Sequence, residues 1–268
     1  MKHIDAFPGM ALVFLALLPC AASGTVPFAW PGGARCAVAL TYDDTLQSQL
    51  DYALPALNKA GLRATFFQIG SQLQKNGTMQ RWEAAWHQGH EMGDHTMLHP
   101  CGQANGMKNP GNELEDYTLA RMAKELDDSK VLLGPWHKSG APWSFAYPCG
   151  QDWVGTAHQS YAPLVAARFS AARGVLDGVA DPEQVDLMDV PGVSGAHGGS
   201  TLISWVHEVE SKGGWLVFYF HGVGGDYITT KAEAHQELVD YLETAKGLIW
   251  VAPFGEEAAW VKSHRKKH

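Results

Sequence analysis

Two histidines four residues apart, His95 and His99, stand in the stretch Gly-His-Glu-Met-Gly-Asp-His-Thr-Met-Leu-His-Pro-Cys that runs from Gly89 to Cys101. On one turn of helix that spacing stacks both imidazoles on the same face, close enough to share a metal ion. The pattern also arises by chance in a chain with 13 histidines. Two neighbouring features favour a site: Gly89 and Gly93 suit a chain bending tightly beside a strand, and Pro100 stops any helical turn directly after the second histidine. A metal held this way needs a third ligand from elsewhere. A carboxylate pair, Asp43-Asp44, closes the apolar run Arg35 to Tyr42, and each of two such groups disfavours the other's charge unless a cation lies near. Three further places carry reactive chemistry: the sharp turn Tyr147-Pro148-Cys149-Gly150, Arg173, and His221.

The elements that must position these residues alternate in type. Arg35–Tyr42 reads as a buried strand, Leu50–Ala60 as a helix stopped by Gly61, and Ala64–Ile69 as a second strand. Arg81–Gln88 is helical, with Trp82, Ala85 and Trp86 on one side, and His90–Met92 is a third strand running into the histidine pair. A long amphipathic helix is expected over Glu113–Leu133, a short strand at Ser144–Tyr147, a helix over Val154–Ala167 and strand character over residues 166–174. Val175–Gly199, rich in Asp, Pro and Gly, reads as surface loop. Thr201–Glu210 is helical, Trp215–Phe220 is the clearest buried strand, Ala232–Ala245 is the last long helix and Leu248–Ala252 the last strand. Strand and helix in alternation describe a parallel α/β protein, and no repeat or linker divides it.

Composition bounds the rest. At 268 residues with 46% hydrophobic content the chain can bury a sizeable core as one domain. Residues 1–24 combine Lys2, an apolar run from Met10 to Leu18 and small residues at Ala21 to Gly24, the order of a secretory signal peptide. Cleavage is expected after Ala22-Ser23-Gly24 or Cys20-Ala21-Ala22. The run is too short for stable membrane insertion, so the expected location is secreted, periplasmic or at the cell envelope. A domain over residues 25–261 and a basic tail over 262–268 follow. Formal charge is −8; Lys262, Arg265, Lys266 and Lys267 in the tail contribute +4, so the body carries −12, which argues against nucleic acid as a partner. Apart from Cys20, the cysteines are Cys36, Cys101 and Cys149. If the segments holding Cys101 and Cys149 meet at one site, these two are the pair to expect in an exported chain, and Cys36 is a buried thiol.

Several strands thus end in polar residues: Asp43-Asp44, His95 with His99, Tyr147 to Gly150, Arg173 and His221. In barrels of parallel strands the rim at the carboxyl ends gathers the chemistry, because its loops meet above one packed core. Trp153 lies close enough to the third of these groups to offer a ring for sugar stacking.

In this order, Thr41-Tyr42-Asp43-Asp44, His95-Thr96-Met97-Leu98-His99, Tyr147-Pro148-Cys149-Gly150 and a strand closing on His221 resemble the polysaccharide deacetylases of carbohydrate esterase family 4. Gly89 to Asp94 looks like that family's lead-in to its histidines. The resemblance spans about Arg35 to Ala252. It implies a single-domain, distorted (β/α) barrel of mostly parallel strands and a metal-dependent hydrolase that removes N-acetyl groups from a glycan containing N-acetylglucosamine. Position by position it makes Asp44, His95 and His99 the ligands of Zn²⁺ or another divalent ion such as Co²⁺, Asp43 the general base, His221 the general acid and the Cys149 N–H an oxyanion donor. Tyr147, Pro148 and Gly150, with Trp153, become candidate contacts for an acetylated glycan. The nearest alternatives are an O-acetyl esterase on acetylated xylan and a non-catalytic glycan-binding relative. This chain departs from the family in three places. Ala146 stands where the third motif usually has the arginine that orients the base, no clear Asp-Trp fourth motif is present, and Gly222 follows His221 where aspartate is common. Arg173, at the end of the next strand, is the expected replacement for that arginine.

Overall fold

The computed structural model describes residues 28–75, 77–105, 110–137 and 141–266. The expected leader lies outside them. Its strands are β1 (Cys36–Asp43), β2 (Thr65–Gln68), β3 (Glu91–Asp94), β4 (Ser144–Ala146), the hairpin strands β5 (Trp153–Val154) and β6 (Gln159–Ser160), β7 (Ala171–Asp177), β8 (Val190–Ser194), β9 (Trp215–Phe220) and β10 (Ile249–Trp250). The helices are α1 (Leu54–Ala60), α2 (Gly70–Lys75), α3 (Met79–His87), α4 (Leu119–Leu133), α5 (Ala162–Ala166), α6 (Gly199–Lys212), α7 (Ala232–Thr244) and α8 (Phe254–His264). Seven parallel strands close on themselves in the order β1-β2-β3-β4-β7-β8-β9, with β1 pairing β9 over six registered residues, and β10 adds to the start of β1. This is the (β/α) barrel.

The sequence closes this way because β1 is buried on both faces, as a strand at the centre of a parallel sheet must be. Ala37 and Ala39 point into the barrel, where they join Trp215, Val217, Phe67, Ala146 and Ala171 above Phe254 of α8. Small residues on β1 make room for the rings opposite. Val38, Leu40 and Tyr42 face outward and pack with Leu57 of α1, Leu202 and Val206 of α6 and Leu238 of α7. Since all seven strands run the same way, Asp43, Asp94, Ala146 and Phe220 deliver the chain to one rim.

Several expectations change. Residues 175–199 are not a continuous loop: β7 runs on to Asp177, and β8 completes the ring. The expected helix over 154–167 is the β5–β6 hairpin followed by the five-residue α5, and α4 begins only at Leu119, after a 3-10 turn over Leu114–Asp116. The first helix opens as a π-helical turn, Gln49–Ala53. Helix α8 carries the body past residue 261 into the segment read as tail, where Arg265 Nη1 donates to Val185 O and Lys266 N–H to Glu183. Cys36 is fully buried, and burial pushes its thiol up to about 12.

Two buried histidines make the fold sensitive to acid. His90 Nδ1 accepts from Ala64 N–H at 3.2 Å, so its proton sits on Nε2, 3.1 Å from Asn58 Oδ1; His235 Nε2 lies 2.6 Å from the Tyr42 hydroxyl. Burial pushes both rings down to about 4, against about 6.5 in an unfolded chain. The unfolded state therefore binds the extra protons, and the stability each neutral ring contributes is complete above about 6.5 and lost as pH falls toward 4, by up to about 1.4 kcal/mol per pH unit per histidine. In thermal melts, the stability advantage of the wild type over His90→Gln should shrink as pH falls from 7 to 4.5. A difference that does not change with pH would contradict the neutral, buried assignment of His90.

Candidate active site

At the end of β1 the backbone turns left-handed, with φ 78° at Asp44 and 60° at Thr45. That turn aims the two carboxylates differently. Asp43 points into the barrel, where Arg173 of β7 meets it: Nη2 lies 2.5 Å from Asp43 Oδ2 and Nη1 donates to Thr41 Oγ1 at 3.0 Å. The guanidinium is 1% exposed, with Phe67 and Tyr219 rings 5.3 and 5.1 Å from its centre. Asp43 Oδ1 is buried and has no hydrogen-bond partner among the described residues.

Asp44 faces the histidines. Its Oδ1 lies 3.4 Å from His95 Nε2 and 3.2 Å from His99 Nε2, and Oδ2 lies 3.7 Å from His221 Nε2. The histidine pair does not sit on a helix, as the four-residue spacing suggested. Residues 95–100 form an irregular turn with left-handed Thr96 (φ 65°) and His99 (φ 54°). The buried Asp94 carboxylate shapes it by accepting from Thr96 N–H and from the Ser129 hydroxyl, while Thr96 Oγ1 accepts from His99 N–H. His95 Nδ1 is 2.7 Å from the carbonyl oxygen of Ala146. A carbonyl can only accept, so Nδ1 carries a proton, and Nε2 is the ring atom left facing the centre, able to offer a lone pair there when it is unprotonated. Burial pushes His99 down to about 4, which keeps that ring neutral at pH 7.

These three donors, within 4.8 Å of one another, fit a divalent ion: two imidazole lone pairs and a buried carboxylate oxygen with no hydrogen-bond partner among the described residues. The set suits zinc by donor type.

Cys149 and Cys101 form a disulfide, with Cα atoms 5.8 Å apart, that ties the turn after β4 to the segment after His99. Within the former, Gly150 N–H donates to Tyr147 O and Gln151 N–H to Pro148 O, and neither bond uses the N–H of Cys149, whose φ is 51°. Tyr147 is 3% exposed among Phe145 and Tyr161, and Pro148 is also buried, so of the four expected glycan contacts only Gly150 and Trp153 are partly exposed. His158 stacks on one face of the Trp153 ring at 3.8 Å.

Two residues that the sequence reading passed over also reach the site. Gln49, fully buried, donates through Nε2 to the carbonyls of Asp43 (2.5 Å) and His221 (3.0 Å), clipping the ends of β1 and β9 together. Its only signal was a glutamine just ahead of an apolar helical run. Tyr227, on the loop after His221, donates its hydroxyl to Asp44 Oδ2 at 2.8 Å.

Residues 32–164 match the family profile described as polysaccharide deacetylase. The chain belongs to that family. A curated gellan lyase from a Bacillus species is 24% identical over 267 residues, covering 89% of this chain; the chain spans about a tenth of that protein's length. The fold is shared with the Bc1960 peptidoglycan N-acetylglucosamine deacetylase (18% identity, TM-score 0.55, 85% of this chain and 90% of that one). It is likewise shared with PuuE allantoinase (13% identity, TM-score 0.66, 91% and 96%). Among the described residues no helix is long and apolar enough to cross a membrane.

Proposed function

We propose that this deacetylase is an exported, metal-dependent enzyme that removes N-acetyl groups from a glycan containing N-acetylglucosamine. The observation that carries the reading is the division of labour between two adjacent carboxylates. Asp43 is paired to Arg173 and keeps one oxygen uncommitted, while Asp44 turns toward His95 and His99. Zinc, when bound by Asp44, His95 and His99, acidifies water and polarises a carbonyl. In the chain itself, Asp43 Oδ1 accepts the proton of the attacking water, with Oδ2 held in place by Arg173. The Cys149 N–H donates to the oxygen of the acetyl carbonyl as negative charge develops there. His221, partly exposed at the rim, gives a proton to the departing sugar amine. Trp153 and Gly150 flank the position of the sugar. The disulfide and the leader pattern in residues 1–24 support export, since such bonds persist in oxidising compartments.

The test is acetate release by the purified full chain from chitooligosaccharides, peptidoglycan and acetylated xylan, with allantoin as a non-glycan control. Release from the N-acetylated glycans is expected, lost on chelation and restored by zinc or cobalt. Asp43→Asn should lower turnover about 10²- to 10⁴-fold while metal content is unchanged. Release from xylan alone would make the chain an O-acetyl esterase. Metal binding without release from any substrate would make it a glycan-binding relative.

A further inference from the structure

Beyond His221 the chain stays at the rim. Residues 222–230 double back over it: Gly222 N–H donates to Tyr227 O (3.1 Å), Gly224 N–H to Thr230 O (2.9 Å) and Thr230 N–H to Gly222 O (2.9 Å). A Cβ at position 222 would collide with the carbonyl oxygen of Gly225 and crowd that of Tyr227. Glycine is therefore required there while the loop is folded this way, which accounts for the absence of an aspartate after His221. Ser48 clasps the loop from the side, its N–H donating to Asp226 Oδ2 at 2.8 Å and its hydroxyl accepting from Val223 N–H at 3.1 Å. Asp226 (φ 58°) and Ile228 (φ 46°) hold left-handed conformations on either side of Tyr227. Such backbone is disfavoured for any residue with a Cβ and most of all for a β-branched one, and it persists where the surroundings enforce it.

What this strained, clasped loop achieves is the placement of one phenol. The Tyr227 ring is 53% exposed, so little packing holds it, yet its hydroxyl reaches Asp44 Oδ2 at 2.8 Å. The two oxygens of Asp44 are committed differently as a result. Oδ2 accepts from Tyr227, while Oδ1 has no hydrogen-bond partner among the described residues and faces the Nε2 atoms of His95 and His99. A carboxylate without such a bond can rotate about its Cβ–Cγ axis and present either oxygen, or both. A hydrogen bond to one oxygen fixes which of them meets a cation, and outer partners of this kind strengthen metal sites.

We infer that Tyr227 is a positioning residue for the metal centre, its hydroxyl locking the Asp44 carboxylate so that Oδ1 completes a three-donor set with His95 and His99. The inference rests on the assignment of those three residues as ligands. It gives the loop after His221 a purpose separate from the acid function of His221, and it makes Asp226 part of the same device through its clasp on Ser48.

Tyr227→Phe keeps the ring and removes only the hydroxyl; Asp226→Ala opens the clasp. Zinc affinity of the full chain, measured by competition with a chromophoric chelator, should weaken about 10- to 100-fold in Tyr227→Phe, and by less but in the same direction in Asp226→Ala. Asp44→Ala should lose the site altogether. Acetate release by Tyr227→Phe should recover as zinc is raised to saturation, with KM for the glycan unchanged throughout. Wild-type zinc affinity in Tyr227→Phe overturns the inference, as does a raised KM at unchanged zinc affinity, which would make the ring a substrate contact. Undiminished zinc binding in Asp44→Ala would overturn the ligand assignment itself and the inference with it.

Discussion

Arg173→Ala is expected to lower kcat/KM on an N-acetylated glycan by about 10²- to 10⁴-fold and to cost about 3–5 kcal/mol of folding stability. Both effects follow from one geometry. The guanidinium is buried, it meets Asp43 through one nitrogen and Thr41 through another, and it is flanked by Phe67 and Tyr219. Removing it leaves a buried carboxylate with no cation facing it, beside a second carboxylate on the next residue, and a void between two rings. The activity loss would come from the freedom Asp43 gains, because the orientation of Oδ1 depends on the bond to Oδ2. Arg173→Lys separates the two contributions. Lysine keeps the charge but lacks the planar fork, so it cannot reach Asp43 and Thr41 together in one fixed geometry, and it should recover more stability than turnover. Urea unfolding and initial-rate measurements on the three proteins check both parts. Near wild-type turnover in Arg173→Ala would remove Arg173 from the mechanism.

This arginine is also the clearest case of a site residue legible in sequence. Its meeting with Asp43 could be expected because paired carboxylates call for a nearby cation, the family resemblance puts Ala146 where the usual arginine stands, and Arg173 ends the next strand on the same rim. The strands that carry the site were legible for a related reason: β1 and β9 are buried on both faces and therefore read as continuous apolar runs, each broken by the charged or polar residues at its end. β8 was not, because Val190-Pro191-Gly192 carries two residues that normally mark turns, and the strand is held by its place between β7 and β9 rather than by its own propensity. The histidine pair was found through a helical spacing that it does not use; what brings its two Nε2 atoms together is a turn shaped by Asp94, Ser129 and two left-handed residues. Gln49 and Tyr227 act through hydrogen bonds to groups more than 170 residues away, across the β1–β9 closure, and nothing periodic in their surroundings announces them.

Removing the cross-link should have the second large effect. The disulfide joins residues 48 apart, and in the chain-entropy account a loop of that length stabilises the folded state by about 4 kcal/mol. For a domain of this size a loss of that order lowers the melting temperature by roughly 10 °C. Cys101→Ala/Cys149→Ala is therefore expected to melt about that much earlier, and to lose activity even well below its midpoint. The second expectation rests on position. Cys149 holds a left-handed backbone on a turn whose N–H is the proposed oxyanion donor, and Cys101 lies two residues from His99, with its sulfur 3.6 Å from His99 Nδ1. Freed of the bond, alanine at 149 has less reason to keep φ near 51°, and a small rotation there moves the donor away from the carbonyl it must meet. Cys101→Ala/Cys149→Gly should regain part of the turnover without regaining the stability, since glycine accepts that φ at little cost while the loop stays open. The double variants test the cross-link better than reductant does. Reduction leaves two thiols and His99 within 4.8 Å of one another, a soft donor set beside the proposed zinc ligands, and so changes two things at once. Calorimetry and acetate release on the two variants distinguish the roles: an early melt with full turnover would confine the disulfide to stability, and an unchanged melt would contradict the closed-loop account of its contribution.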